Sequence, residues 1–204
     1  MQPATLTTER LILRPWRDED LAPLFAINGD PESMRYFAAT MTRAESDAWG
    51  TRMRAHFAEH GWGFWVVAEA ATGDFVGVVG LMTIPWQADF TPAVEIGWRI
   101  GPRFRRQGYA EEAARAALGF GFATLGLEKI VAFTVPGNAA SWKLMEKLLI
   151  CLTWVNLKRL LVMVCDRRLT IKRVIKLSLR VTNAFYNAKK LLTQFLPIKA
   201  QLSI

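Results

Sequence analysis

The run Arg99-Ile100-Gly101-Pro102-Arg103-Phe104-Arg105-Arg106-Gln107-Gly108-Tyr109-Ala110-Glu111 holds the residue types that bind an anion. A short apolar strand ends, a loop rich in arginine and glycine follows, and an alanine-rich helix begins. The first N–H groups of a helix lack partners within it, and the helix dipole adds partial positive charge there. Such a terminus accepts a phosphate or pyrophosphate. Gly108 removes a side chain where an anion must approach the backbone, and it takes a positive φ if the turn requires one. Arg103, Arg105 and Arg106 add charge at the rim. The same residues also read as a solvated basic loop that merely connects strand to helix, and their chemistry alone leaves both readings open.

Two other patterns invite chemistry. His56-Phe57-Ala58-Glu59-His60 has the His-x-x-Glu-His order of some zinc peptidases, with two imidazoles at i and i+4. The segment ends a helix just before Gly61, and no downstream carboxylate pair on another helix completes a site, so a surface helix end and no metal are expected. Of the eight tryptophans, Trp16, Trp49 and Trp98 fit core-facing positions, while Trp62, Trp65 and Trp86 are candidates for the border of a substrate pocket.

The elements that must position these residues follow from pattern. Leu11 to Trp16 reads as a first strand ended by Pro15. Asp18 is a cap for a helix carrying Leu21, Leu24, Phe25 and Asn28, stopped at Gly29-Asp30-Pro31. Thr42-Arg43-Ala44-Glu45 has the form of a capping box for a helix that runs to Gly61. Strands are predicted over Gly63 to Ala70, Phe75 to Thr83 (after a Thr72-Gly73-Asp74 turn) and Val94 to Ile100. A helix over Tyr109 to Leu125, a strand over Lys129 to Val135 and a short helix over Asn138 to Leu148 complete the order, with no internal repeat.

In this setting Arg105-Arg106-Gln107-Gly108-Tyr109-Ala110 fits Arg/Gln-x-x-Gly-x-Gly/Ala, the pattern that wraps the pyrophosphate of acetyl-coenzyme A in Gcn5-related N-acetyltransferases (GNAT). Glu95-Ile96-Gly97-Trp98 on the preceding strand, Glu111 to Ala117 after it, and Asn138-Ala139-Ala140-Ser141 about thirty residues on match in order and spacing. Thr8-Glu9-Arg10-Leu11-Ile12-Leu13-Arg14 and Gly61-Trp62-Gly63-Phe64-Trp65 are similar to the branch that acetylates ribosomal-protein N-termini at alanine, a branch that also holds enzymes acting on small amines. The resemblance covers residues 5–148.

It implies an α/β chain of the α+β mixed-sheet type: a central, mostly antiparallel sheet flanked by helices, with atypical final strands. It further implies an acyltransferase (EC 2.3.1.-) that moves acetyl from acetyl-CoA to a primary amine, a protein N-terminus or a small amine, by direct attack and without metal. The backbone N–H groups of Gln107, Gly108, Tyr109 and Ala110 would bind the pyrophosphate, with Arg103, Arg105 and Arg106 screening its charge. The strand from Glu95 to Ile100 would diverge from the strand Lys129 to Val135 and offer unpaired backbone to the pantetheine arm, which Asn138 would also contact. Glu95 is the candidate general base, through water, its alternative being an exposed glutamate paired with an arginine. Ser141 is the candidate partner of the departing thiolate, its alternative a helix-start hydroxyl bonded to backbone. The tyrosine that many family members use as acid has no counterpart in Tyr36 or Tyr109.

Residues 149–204 leave the pattern. The chain carries a net charge of +8, but residues 1–148 balance at −2 and residues 149–204 at +10, with Asp166 the lone acid of the tail. All 14 glycines precede residue 148. Three readings stand: a coding frame change near codon 149, a basic appendage for nucleic acid or an anionic membrane surface on an impaired coenzyme-binding domain, or a divergent closing hairpin in which Lys176 to Val181 alternates like a strand. Cys151 and Cys165 form neither a disulfide framework nor a metal-finger spacing. No secretory signal and no membrane span are expected, which makes the cytoplasm the default. Oligomeric state is not legible.

Overall fold

Thr42 and Glu45 close a reciprocal capping box: Glu45 N–H donates to Thr42 Oγ1 at 3.3 Å, and Thr42 N–H donates to the Glu45 carboxylate at 2.7 Å. That box starts the longest helix among the described residues, and Gly61, at φ 76°, ends it. In the computed structural model, residues 3–87, 91–148, 151–152 and 161–166 are described, the last two stretches as strand backbone. The strands are β1 (Leu6–Thr7), β2 (Leu11–Arg14), β3 (Phe64–Glu69), β4 (Phe75–Thr83), β5 (Val94–Ile100), β6 (Lys129–Thr134), β7 (Cys151–Leu152) and β8 (Leu161–Asp166). The helices are α1 (Leu21–Asn28), α2 (Pro31–Met34), α3 (Arg43–His60), α4 (Tyr109–Ala123) and α5 (Ala139–Lys147).

One mixed sheet runs in the order β1-β2-β3-β4-β5-β6-β8-β7. Every neighbouring pair is antiparallel except β5 and β6, which are parallel. Phe64 meets Trp49 of α3 edge-on at 5.9 Å, and its neighbour Trp65 meets Phe120 of α4 at 5.4 Å. Successive strand residues point to opposite faces, so α3 and α4 cover opposite sides of the sheet. This explains why β3 is apolar from Phe64 to Ala68 and buried on both faces there. α4 lies close because Ala113, Ala114, Ala117 and Gly121 face the sheet; a methyl on Gly121 would come within 2.7 Å of Ile130.

The sequence expectations hold closely for β4 and β5, and the structure corrects or adds to them in four places. Asp18 does not cap α1: it opens a 3-10 turn, Asp18–Asp20, and pairs with Arg54 of α3. The structural acid is Asp20, 2% exposed, which takes both Arg14 terminal nitrogens at 2.7 and 2.8 Å and the Arg17 N–H at 2.6 Å. Removing one partner of so buried a pair costs about 3–5 kcal/mol. Asp30-Pro31 ends α1 but also starts α2, with Asp30 accepting from Ser33 N–H at 2.7 Å. Third, β1 adds an edge strand ahead of β2. Last, residues 151–152 and 161–166 extend the sheet beyond β6, and β8 pairs with β6 from Lys129↔Asp166 to Thr134↔Leu161. Lys176 to Val181 lies outside the described residues.

Candidate active site

The parallel pairing of β5 with β6 covers Val94↔Ile130 and Glu95↔Val131, and stops there. From Ile96 onward β5 stays with β4 alone, through Ile100↔Gly77. A cavity of about 250 Å³ occupies the resulting gap. Glu95, Arg99, Phe64, Trp49 and Phe37 line it on the α3 side, and Trp98, Asn138 and Ser141 line it on the α5 side. Because Glu95, Gly97 and Arg99 share one face of β5 and Trp98 has the other, the cavity passes through the sheet where the two strands part.

Glu95 sits in this wall with its carboxyl pushed up to about 7 by burial. An acid poised there is divided between its protonated and ionised forms at neutral pH, which suits proton transfer. Trp98 Nε1 donates to Ser141 Oγ at 3.3 Å. With one lone pair of Ser141 so engaged, its own hydrogen stays available to another acceptor. Asn138 caps α5, its Oδ1 accepting from Ser141 N–H at 3.2 Å.

Beyond β5 the chain makes a 3-10 turn, Pro102–Phe104, and enters α4 through Arg106 at φ 63° and Gly108 at φ 85°. The first hydrogen bond of α4 is Glu112 N–H to the Gly108 carbonyl, 3.0 Å, so the N–H groups of Gln107, Gly108, Tyr109 and Ala110 precede the helical ladder. Left-handed residues at a helix entrance turn such N–H groups into an anion-binding concavity. The neighbouring side chains are differently employed. Arg105 donates to the Ile100 carbonyl at 3.1 Å and to Ser33 Oγ at 2.5 Å, which ties β5 to α2. Arg103 pairs with Asp74. Gln107 Nε2 donates to the Arg103 carbonyl at 2.7 Å. Tyr109 is buried and its hydroxyl donates to Glu69.

Three residues to which the sequence patterns assign no role of their own join this site. Glu112, on the first turn of α4, accepts from Thr8 Oγ1 at 2.7 Å, Arg10 N–H at 2.9 Å and Arg10 Nε at 2.7 Å. Arg10 in turn donates to the Gln107 carbonyl at 3.1 Å and lies 4.5 Å over the Tyr109 ring. The β1–β2 turn therefore clamps the loop in place. Burial pushes Glu112 up, yet its hydrogen bonds from Thr8 and Arg10 outweigh that and hold it below the usual carboxylate range. The third is Arg99, which donates to Asn28 Oδ1 and stands 4.7 and 5.0 Å from the rings of Phe37 and Trp49. The tryptophans also sort differently: Trp49 and Trp98 line the cavity, whereas Trp65 is fully buried core. Trp62 meets His56 edge-on and His60 at a tilt at the end of α3, and Trp86 packs edge-on against Phe133, which lines the cavity. His56 Nδ1 lies 3.0 Å from the Trp62 carbonyl.

Residues 10–148 match the family profile described as an acetyltransferase (GNAT) domain. The uncharacterized protein YkkB of Bacillus subtilis is 33% identical over 144 residues, spanning 70% of this chain and 83% of its own. A crystal structure of an acetyltransferase from Agrobacterium tumefaciens superposes with a TM-score of 0.71 at 24% identity, covering 82% of this chain and 96% of that one. Mycobacterium smegmatis RimJ, solved with a CoA disulfide, superposes with a TM-score of 0.66 at 17% identity, covering 89% and 98%. No helix among the described residues is long and apolar enough to cross a membrane.

Proposed function

From the premise that the chain belongs to the GNAT acetyltransferase family and is an acyltransferase, we propose that it transfers acetyl from acetyl-CoA to a primary amine with Glu95 as general base. The observation that carries this reading is the place of Glu95: in the wall of a cavity that passes through the sheet, at the point where β5 leaves β6. The gap fits the coenzyme on two grounds. The N–H groups of Gln107, Gly108, Tyr109 and Ala110 lie ahead of the α4 ladder, behind a glycine held at positive φ. The backbone of Ile96 to Ile100 has also left β6, and unpaired strand backbone is what an amide-bearing arm requires. Acetyl-CoA supplies the thioester.

The protein's residues do the rest. Gln107 to Ala110 hold the pyrophosphate, and Arg10 and Glu112 keep that loop in shape. Arg103, Arg105 and Arg106 add positive field, although Arg103 and Arg105 first serve their own partners, Asp74 and Ser33. Asn138 fixes the start of α5 and offers its amide Nδ2 to the pantetheine arm. Glu95 takes the amine's proton, directly or through one water, so that the neutral nitrogen attacks the thioester carbonyl. Ser141, with Trp98 donating to its oxygen, turns its hydrogen to the departing thiolate.

Two linked measurements test this. Calorimetric titration with acetyl-CoA should give saturable one-site binding. Thiol release with a panel of primary amines should then be amine-dependent; thiol release at the no-amine rate with every amine would refute the proposal.

A further inference from the structure

Resting on that reading, we propose that the acceptor is a primary amine that also carries a carboxylate, and that Arg99 is the residue that selects it. Glu95 and Arg99 sit on one face of β5, four residues and so about 13 Å apart at Cα. Both line the same cavity. Between them Gly97 lets the Phe64 ring lie against the strand, since a methyl at residue 97 would come within 2.8 Å of Phe64 Cζ. The face thus presents an acid, an apolar floor and a cation in sequence.

Among the described residues Arg99 forms no ion pair; its polar partner is the neutral amide oxygen of Asn28, which is itself held by Nδ2 donating to Ser46 Oγ at 3.0 Å. The rings of Phe37 and Trp49 flank the guanidinium and fix its position. Burial lowers Arg99 to about 10, so it is still charged at neutral pH. A half-buried guanidinium with five donors and one neutral acceptor is short of an anion, and a carboxylate is the anion whose geometry matches its fork. A purely structural arginine tying α1 to β5 would need no place in the cavity wall. With the amine at Glu95 and the carboxylate at Arg99, the separation calls for an acceptor whose two ends are several bonds apart, with its apolar middle over Phe64.

The test compares ω-amino acids of two to six carbons with their primary amides, which keep the amine and shape but lose the charge. With wild-type protein and acetyl-CoA, kcat/KM from thiol release should favour the best acid over its amide by at least about tenfold. In Arg99→Gln that ratio should fall to near one, and Arg99→Lys should restore part of it. The same acid and amide pairs are scored by thermal shift in the presence of coenzyme A, which needs no turnover. There the acid should raise Tm of the wild type, but not of Arg99→Gln, above the shift given by its amide. Equal kcat/KM and equal Tm shifts for acid and amide in the wild type overturn the Arg99 proposal while leaving acetyl transfer intact. Selective acid binding without any thiol release would uphold Arg99 and overturn the transfer reading.

Discussion

Glu95 is the last residue of β5 to keep a partner on β6, and that partner is Val131. One position further the strands separate and the cavity begins, so the acid stands at the hinge of the gap rather than deep within either half. Pairing with Met82 of β4 and Val131 of β6 fixes its backbone on both sides, while burial leaves its proton loosely decided near neutrality.

The pH profile follows from that burial. With Glu95 raised to about 7, kcat/KM should rise with unit slope below pH 7 and level off above it, and the limb should vanish in Glu95→Gln. Stability should move the other way. The native carboxyl holds its proton more tightly than the unfolded one, so its contribution is full below the unfolded value and lost as pH rises through about 7. Urea unfolding at pH 5 and pH 8 should show Glu95→Gln gaining about 2–3 kcal/mol on the wild type between the two. A constant difference would mean that Glu95 titrates normally.

Gly108 adopts φ 85°, and a methyl there would sit 3.3 Å from Arg10 Nη2. Gly108→Ala should therefore cost about 1 kcal/mol of stability and disturb both the loop and its clamp. Calorimetry should show acetyl-CoA affinity reduced by roughly tenfold, about 1.4 kcal/mol. Unchanged affinity would place the pyrophosphate elsewhere.

Glu112→Ala leaves three donors of Thr8 and Arg10 without their acceptor. A loss of about 1–3 kcal/mol is expected in urea unfolding. Acetyl-CoA should also bind more weakly, because Arg10 would no longer be held against the Gln107 carbonyl. Loss of stability with unaltered coenzyme affinity would reduce the clamp to a structural tie.

The tail can be tested through β8, which pairs with β6 along all of Lys129 to Thr134. Deleting residues 149–204 would open that edge beside the active-site strand. The shortened chain should show a lower urea midpoint and a stronger tendency to aggregate. An unchanged transition would assign β8 no part in stability.

How far these features were legible in the sequence depended on their range. β5 and the loop after it could be bounded because Pro92 and Gly101 bracket an apolar run and Gly108 precedes a helix-forming stretch. α3 could be started because a capping box is local. The second helix was hidden because Asp30-Pro31 signals both a stop and a start, proline being equally suited to the first turn. The clamp joins Arg10 to Glu112 across 102 residues, and no local pattern announces such a pair. Trp49 and Trp98 pack against the core as expected, but that they and Arg99 also border the cavity was not legible, because neither helical spacing on α3 nor period-two alternation on β5 tells a packed face from one that borders a cavity. The parting of β5 from β6 was expected from the family resemblance, not from spacing.

The proposed mechanism turns most directly on Glu95, and turnover of Glu95→Gln at pH 7.5 measured beside its affinity for acetyl-CoA tests it. Thiol release with an accepted amine should fall by about 10²–10⁴ while the coenzyme dissociation constant stays within about twofold. Turnover equal to the wild type would remove Glu95 from the reaction and contradict the mechanism proposed for this site.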